Sequence, residues 1–463
     1  MNTWYRASFV IQDDQVTPHG GILVKEGQIV GHTARGERPD EPYQEVDLGE
    51  VAIVAGQINV HSHAFQRALR GKTERLRGVE ETFWGWREGM YDLALRIDAD
   101  EMEAIAAMAF LEMLRGGIIE VGEFHYLHHD RNGQAYDDKA ELAHRVVRAA
   151  RSVGLPITLL PVAYHCGGIG EPPTGEQRRF LFSNLKEYLG FVEQLESDYK
   201  EDSAVKVGLA PHSIRAASRE WIEGISEFAD RHEMVVHIHS SEQRREVAES
   251  INAYGLTPVE ALHHWGVLRP EWTLIHGTHL SLRDLEILGE LKPTIGACPT
   301  TERNLGDGFL PARQLLERQV PIALGSDSHT IINPFEELRL VEYHERLRYE
   351  GRNLLAHRSS HSSSLETARV LWDMGTTNGA RSLGSTPRDL SIGSPADFIT
   401  VDLKDLSLAG STEETLLANI VFSMNLSALS DVVIGGEVVV RQGVHPQEEA
   451  IVARFQEVMD RYQ

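Results

Sequence analysis

Short apolar runs alternate along most of the chain with longer stretches whose apolar residues recur at helical spacing. Eight runs stand out: VAIVAGQINVHSH, GGIIEVGEFHY, PITLLPVAYH, VKVGLAPHS, EMVVHIHSSE, WTLIHGTH, PTIGACPTTE and PIALGSDSH. Intervening stretches, such as DADEMEAIAAMAFLEMLRGG, open on acidic residues and continue with helix-period apolar positions. Strand and helix in alternation are the signature of βαβ units built on a parallel sheet. Eight such units over residues 55–389 predict an α/β fold, a (β/α)8 TIM barrel. Most of the runs close on His, Glu or Asp, and in such barrels the C-terminal strand ends and the loops after them build the active site.

The two ends of the chain read differently. Residues 1–54 alternate apolar and polar positions between glycine turns, as in GGILVKEGQIVGH, which predicts hairpins. Residues 390–445 repeat that short-strand character in SIGSPADFITVDL and DVVIGGEVVVRQG. The two segments are expected to form one small β-sandwich domain that the chain leaves and re-enters, with residues 446–463 a C-terminal helix.

Composition narrows the function. With 463 residues, 41% hydrophobic and 25% charged, the chain can bury a barrel core and a smaller domain besides. A formal net charge of −24, from 69 acidic and 45 basic residues, repels nucleic acid and anionic membrane surfaces, so neither is expected as a partner. The first twenty residues lack a basic start followed by an apolar core, and no stretch has the roughly 18 apolar residues of a spanning helix, so a cytoplasmic location is expected. Cys166 and Cys298 lie far apart and outside any CxxC, which excludes a disulfide framework and a thiolate zinc site. Any metal must be held by His and carboxylate.

Donors of that kind gather at predicted strand ends. His61 and His63 close the first run, where a strand's period of two aims both imidazoles to one side. The fifth run offers His237, His239 and then Glu242; the sixth supplies His276 and the eighth Asp327. Taken singly, each histidine reads equally as a core residue satisfied by backbone groups, and Asp327 as a helix N-cap. Jointly they are costly to bury without a function.

VHSH, HIHSSE, IHGTH and GSDSH, in that order on the first, fifth, sixth and eighth predicted strands, resemble the mononuclear branch of the amidohydrolase superfamily, the deaminases of cytosine and guanine type. The resemblance implies one divalent ion, zinc by preference, on His61, His63, His239 and Asp327. It further implies that Glu242, His276 and Asp327 carry the proton chemistry, with His237 outside the ligand set. A binuclear relative would need a carboxylated lysine at the end of the fourth strand; Lys206 falls at its start. A bound divalent ion lowers the pKa of water from about 15.7 towards 7, so hydrolysis of an amidine-like carbon is the expected reaction.

Further blocks, NVHSHAFQRAL, TFWGWREGMY, EFHYLHHD, GLAPHSIRA, NLGDG and the stretch from GSDSH to EELRLVEYHERLR, are similar to the formimidoylglutamate deiminase family over nearly the full length. That likeness implies N-formimino-L-glutamate as substrate, N-formyl-L-glutamate and ammonia as products, a place in histidine degradation, and a homodimer. A small anionic amidine with two carboxylates calls for local cations in an acidic protein, and Arg grips carboxylates bidentately. Arg87, placed in a long loop after the first strand, and Arg215, following His212 at the end of the fourth, are the candidates; Gln66 and Tyr126 complete the pocket by hydrogen bonding, and His212 is a further substrate-binding candidate. Within CPTTERNLGDG, Arg303 reads as a further carboxylate contact or a selectivity residue, and Cys298 as packing. Trp84 and Trp86 favour a competing purine or nucleoside deaminase, which would stack a base, and formimino-aspartate is a second alternative substrate. A non-catalytic scaffold has no reason to retain both Glu242 and Asp327.

Overall fold

The computed structural model describes residues 2–12, 15–74, 83–356 and 367–462. Met1, Gln463 and Thr82, the first residue of the TFWGWREGMY block, fall outside them.

Two sheets carry the parallel strands. In one, Gln57–Ser62, Ile118–His125 and Ile157–Ala163 lie side by side with the short Val205–Val207 and Ala210–Pro211. In the other, Val236–Ser240, Trp272–His276, Thr294–Ala297 and Ile322–Leu324 follow in chain order. Backbone hydrogen bonds join the sheets at both flanks. The His237 and His239 amides donate to the Leu209 and His212 carbonyls at 2.9 and 3.0 Å, and the Ser326 and Asp327 amides donate to the His61 carbonyl at 3.1 and 2.9 Å. Strands buried on both faces need no alternation, which is why these runs read as continuous apolar stretches.

Helices between the strands begin where the sequence supplies caps. Asp98 and Glu101 form a capping box at the head of Ala99–Arg115, Thr257 and Glu260 another at Pro258–His264, and the Asn333 side chain accepts from the Glu336 amide ahead of Pro334–Tyr349.

Strands from the two chain ends share one six-stranded sheet, in which Phe398–Asp402 pairs antiparallel with Val51–Ala55. Val51, Ile53 and Ala55 point into a small core with Tyr5, Ile22, Phe398 and Val433, while Ala52 and Val54 point into the large one. A period of two thus serves both cores from one strand. Gly56 alone separates this strand from the first parallel one, so a single apolar run in the sequence is two strands in two sheets.

Two local expectations are corrected. Segment 390–445 is not all short strands: Leu416–Phe422 is a helix, since a seven-residue run that is apolar but for Asn419 fits either period and packing arbitrates. Arg87 does not lie in a loop but on the helix Phe83–Arg96, whose mixed, weakly periodic surface gave no helical signal. The chain's last helix, Glu448–Asp460, packs on Ala99–Arg115, with Arg115 paired to Glu448 at 2.7 Å. Among the described residues no helix is long and apolar enough to cross a membrane.

Candidate active site

One ligand atom each from His61, His63, His239 and Asp327 lies within 4.8 Å of the others, and all four side chains are buried. His61 and His63 sit at the end of the first parallel strand with ring centroids 4.6 Å apart. Asp327 arrives from just past the eighth strand, through Gly325, where an added Cβ would stand 2.7 Å from the His61 Cβ. Glycine is therefore required for the two strand ends to approach. Asp327 and His276 both hold left-handed backbone, at φ 45° and 76°, a strained state that clusters at functional sites.

Backbone carbonyls fix the ring orientations. Nδ1 of His63 is bonded to the Phe124 carbonyl and Nδ1 of His239 to the His212 carbonyl, both at 2.9 Å. A carbonyl only accepts, so each Nδ1 carries the proton and each Nε2 presents a lone pair to the cluster. His63 Nε2 then lies 3.2 Å from Asp327 Oδ1, and His239 Nε2 lies 3.1 Å from His61 Nε2. Acceptors converging at such distances fit a shared cation. Burial, ahead of every other influence, lowers His61 to about 3 and holds His239 well below its ordinary value, keeping both neutral as ligands must be. Burial would raise Asp327, but the His61 and His63 imidazoles beside it outweigh burial and hold its carboxyl well below the ordinary range.

The cleft before this cluster is lined by His63, His239 and Asp327 and by the other predicted site residues, Gln66, Arg87, Tyr126, His212, Arg215, Glu242 and His276. His61 sits behind it. Glu242, buried, is raised above the usual carboxylate range chiefly by desolvation, with His276 and Arg215 opposing. His276 Nε2 lies 3.8 Å from Glu242 and its Nδ1 3.4 Å from Glu302. Burial would lower this imidazole, but Glu242, Glu302 and Asp327 prevail and raise it to about 10. His212 is held well below its usual range by burial and then by Arg215 and Arg87. Gln66 donates to the Tyr126 hydroxyl at 2.7 Å, linking the loops after the first two strands.

Both arginines face the cleft, and among the described residues neither is hydrogen-bonded to a carboxylate. Arg87 donates to the Tyr91 and Tyr164 hydroxyls at 2.7 and 3.1 Å, and no ion pair involves it among the described residues. Arg215 is 7% exposed; among the described residues its Nε has no hydrogen-bond partner, and it meets Glu242 at 3.8 Å.

Other expectations fall elsewhere. Arg303 is exposed and paired with Glu336 at 2.8 Å, away from the cleft; its neighbour Glu302, buried against His276, is the residue of that segment that reaches the site. His237 points away and bonds to the Ser382 carbonyl at 2.9 Å. Cys298 is buried, which pushes its thiol well up and leaves it as packing. Trp86 lines the cleft and Trp84 does not. Tyr91 and Tyr164, which orient Arg87, escaped sequence reading; four-residue spacing from Arg87 would have flagged Tyr91 once the helix was known.

The amidohydrolase family model matches residues 52–439. The chain belongs to that family. This amidohydrolase is 35% identical over 422 residues to a formimidoylglutamate deiminase of Pseudomonas aeruginosa, covering 91% of this chain and 92% of the relative. It is 24% identical to a 5'-deoxyadenosine deaminase of Methanothrix thermoacetophila, over 98% of each chain. Among solved structures it is similar to an amidohydrolase from Brucella melitensis, with 32% identity, a TM-score of 0.89 and 99% of each chain covered. It is thus a hydrolase acting on carbon–nitrogen bonds, with a buried His/Asp cluster of metal-binding type.

Proposed function

We propose that this amidohydrolase hydrolyses N-formimino-L-glutamate to N-formyl-L-glutamate and ammonia. In this reading the two parallel sheets form one (β/α)8 barrel, residues 55–389, with residues 1–54 and 390–445 as the small β domain. The observation that carries it is the pair Arg87 and Arg215, two cations that among the described residues hydrogen-bond to no carboxylate and that line the cleft beside a buried metal-type cluster. A substrate with two carboxylates supplies the missing partners.

One zinc ion on His61, His63, His239 and Asp327 fits the donor set of three imidazoles and a carboxylate, and would supply an activated water at neutral pH. The chain's own groups do the rest. Asp327 accepts the proton of the attacking water at its carboxylate. Glu242, raised above the usual carboxylate range by its burial, donates to the imino nitrogen. It then takes the hydroxyl proton of the tetrahedral carbon, gives it to the departing amine, and recovers its own proton from Asp327. His276, anchored by Glu302, stabilises charge developing at the tetrahedral carbon. Arg215 and Arg87 hold the carboxylates, with Gln66, Tyr126 and His212 shaping the pocket between them and the reacting carbon.

A second reading has one observation in its favour: Phe83 and Trp86 line the same cleft and offer faces for a purine. An ammonia-release assay with formimino-glutamate, formimino-aspartate, guanine and adenosine in parallel separates the two. Turnover of formimino-glutamate at the highest kcat/KM is expected; preference for either purine compound overturns the proposal.

A further inference from the structure

Outside the cleft lies a second hollow, lined by Trp84, Ile169, Arg245 and Asn252 together with Arg87 and Arg215. The last two arginines also line the inner cleft, so the hollow and the cleft share a wall. Three guanidinium groups surround one indole: Cζ of Arg245, Arg87 and Arg215 lies 4.3, 5.4 and 5.9 Å from the Trp84 ring centroid. Arg245 is the closest and the outermost, with a side chain 62% exposed. Its Nε is tied to Glu249 at 2.7 Å, while its two terminal nitrogens carry no hydrogen bond among the described residues. Among the described residues that line the hollow, two carboxylates, Glu171 and Glu249, face the three cations, which leaves this lining cationic on a chain of net charge −24.

We propose that this hollow is an antechamber for small dicarboxylates, in which Arg245, stacked on Trp84, captures the anion and passes it to Arg215 and Arg87. The identity of its natural occupant rests on the function proposed above. A local cationic funnel on an anionic surface raises the encounter rate, and such an effect is screened by salt. The flat indole holds a planar guanidinium by cation–π attraction, which a lysine at 245 would reproduce less well.

The test measures kcat/KM for formimino-glutamate, and stopped-flow binding of glutarate read by tryptophan emission, from low to high salt. Arg245→Glu is expected to lower both kcat/KM and the glutarate association rate roughly tenfold at low salt, with dissociation within about twofold and the salt dependence flattened. Arg245→Gln should fall between that variant and the parent, and turnover of a formamidine lacking carboxylates should not change. An association rate unaltered by Arg245→Glu overturns the antechamber, and so does an equal loss on formamidine. A parent that hydrolyses formimino-glutamate beside an insensitive Arg245→Glu leaves the proposed function standing and removes the antechamber. A parent that leaves formimino-glutamate intact, yet binds glutarate with the predicted salt and Arg245 dependence, does the reverse.

Discussion

The two ends of the parallel strands treat buried charge in opposite ways. At the starting end, Glu120 accepts from Ser385 and from Arg388 at 2.9 Å, Arg388 pairs also with Asp397, and Lys206 donates to the Gly384 carbonyl and Ser385 hydroxyl, both at 2.9 Å. Arg388, Glu120 and Asp397 satisfy one another, and Lys206 is held by neutral acceptors. At the finishing end, Arg215 and Arg87 hydrogen-bond to no carboxylate among the described residues, acceptor atoms of His63, His239 and Asp327 converge, and Glu242 is pushed toward its neutral form. A closed network holds a fold together, whereas an open one is a binding surface awaiting what completes it.

Removing the proposed ion tests the open end most severely. Chelation verified by elemental analysis should abolish turnover and re-addition of zinc restore it, at one ion per chain; two ions per chain, or full activity without any, would remove the contrast. Next comes Glu242→Gln, which keeps shape and discards the acid. The rate should fall by roughly 10² to 10⁴ with metal content unchanged, and loss of the metal would recast Glu242 as a ligand.

Arg215→Met sharpens the comparison directly. Leaving a substrate carboxylate unpaired costs about 2 to 5 kcal/mol in kcat/KM, while formamidine should be processed as slowly as by the parent. Thermal stability should hold or rise, because the variant puts an apolar side chain in place of a buried cation whose contact with Glu242, at 3.8 Å, is too long for a hydrogen bond. Arg388→Met should do the opposite. Glu120 and Asp397, 2% and 1% exposed, would lose their cation, at a cost of about 3 to 5 kcal/mol of stability seen as a lowered Tm, with kcat/KM within about twofold. Equal effects of both arginines on Tm and on turnover would mean that the two ends do not differ as described.

Much of this was legible in sequence because strands and their caps are local. His61 and His63 share a face through the period of two, and the acidic start of DADEMEAIAAMAFLEMLRGG is realised as the Asp98–Glu101 capping box of Ala99–Arg115. The helix Leu416–Phe422 was not legible, since its apolar run is too short for one period to prevail.

Sequence alone determined which residue types the site holds and their order along the chain: the histidine pairs, Glu242, His276, Asp327 and the two arginines. Only the tertiary structure decided which of them meet. It turned His239 inward and His237 toward the Ser382 carbonyl, set Glu302 rather than Arg303 against the site, and left Arg215 beside a cleft while Arg388 closed a network. Those outcomes depend on contacts between residues far apart in the chain, as with Asp327 brought beside His61 through Gly325. No local pattern encodes such a contact, because its free energy exists only once the strands have packed.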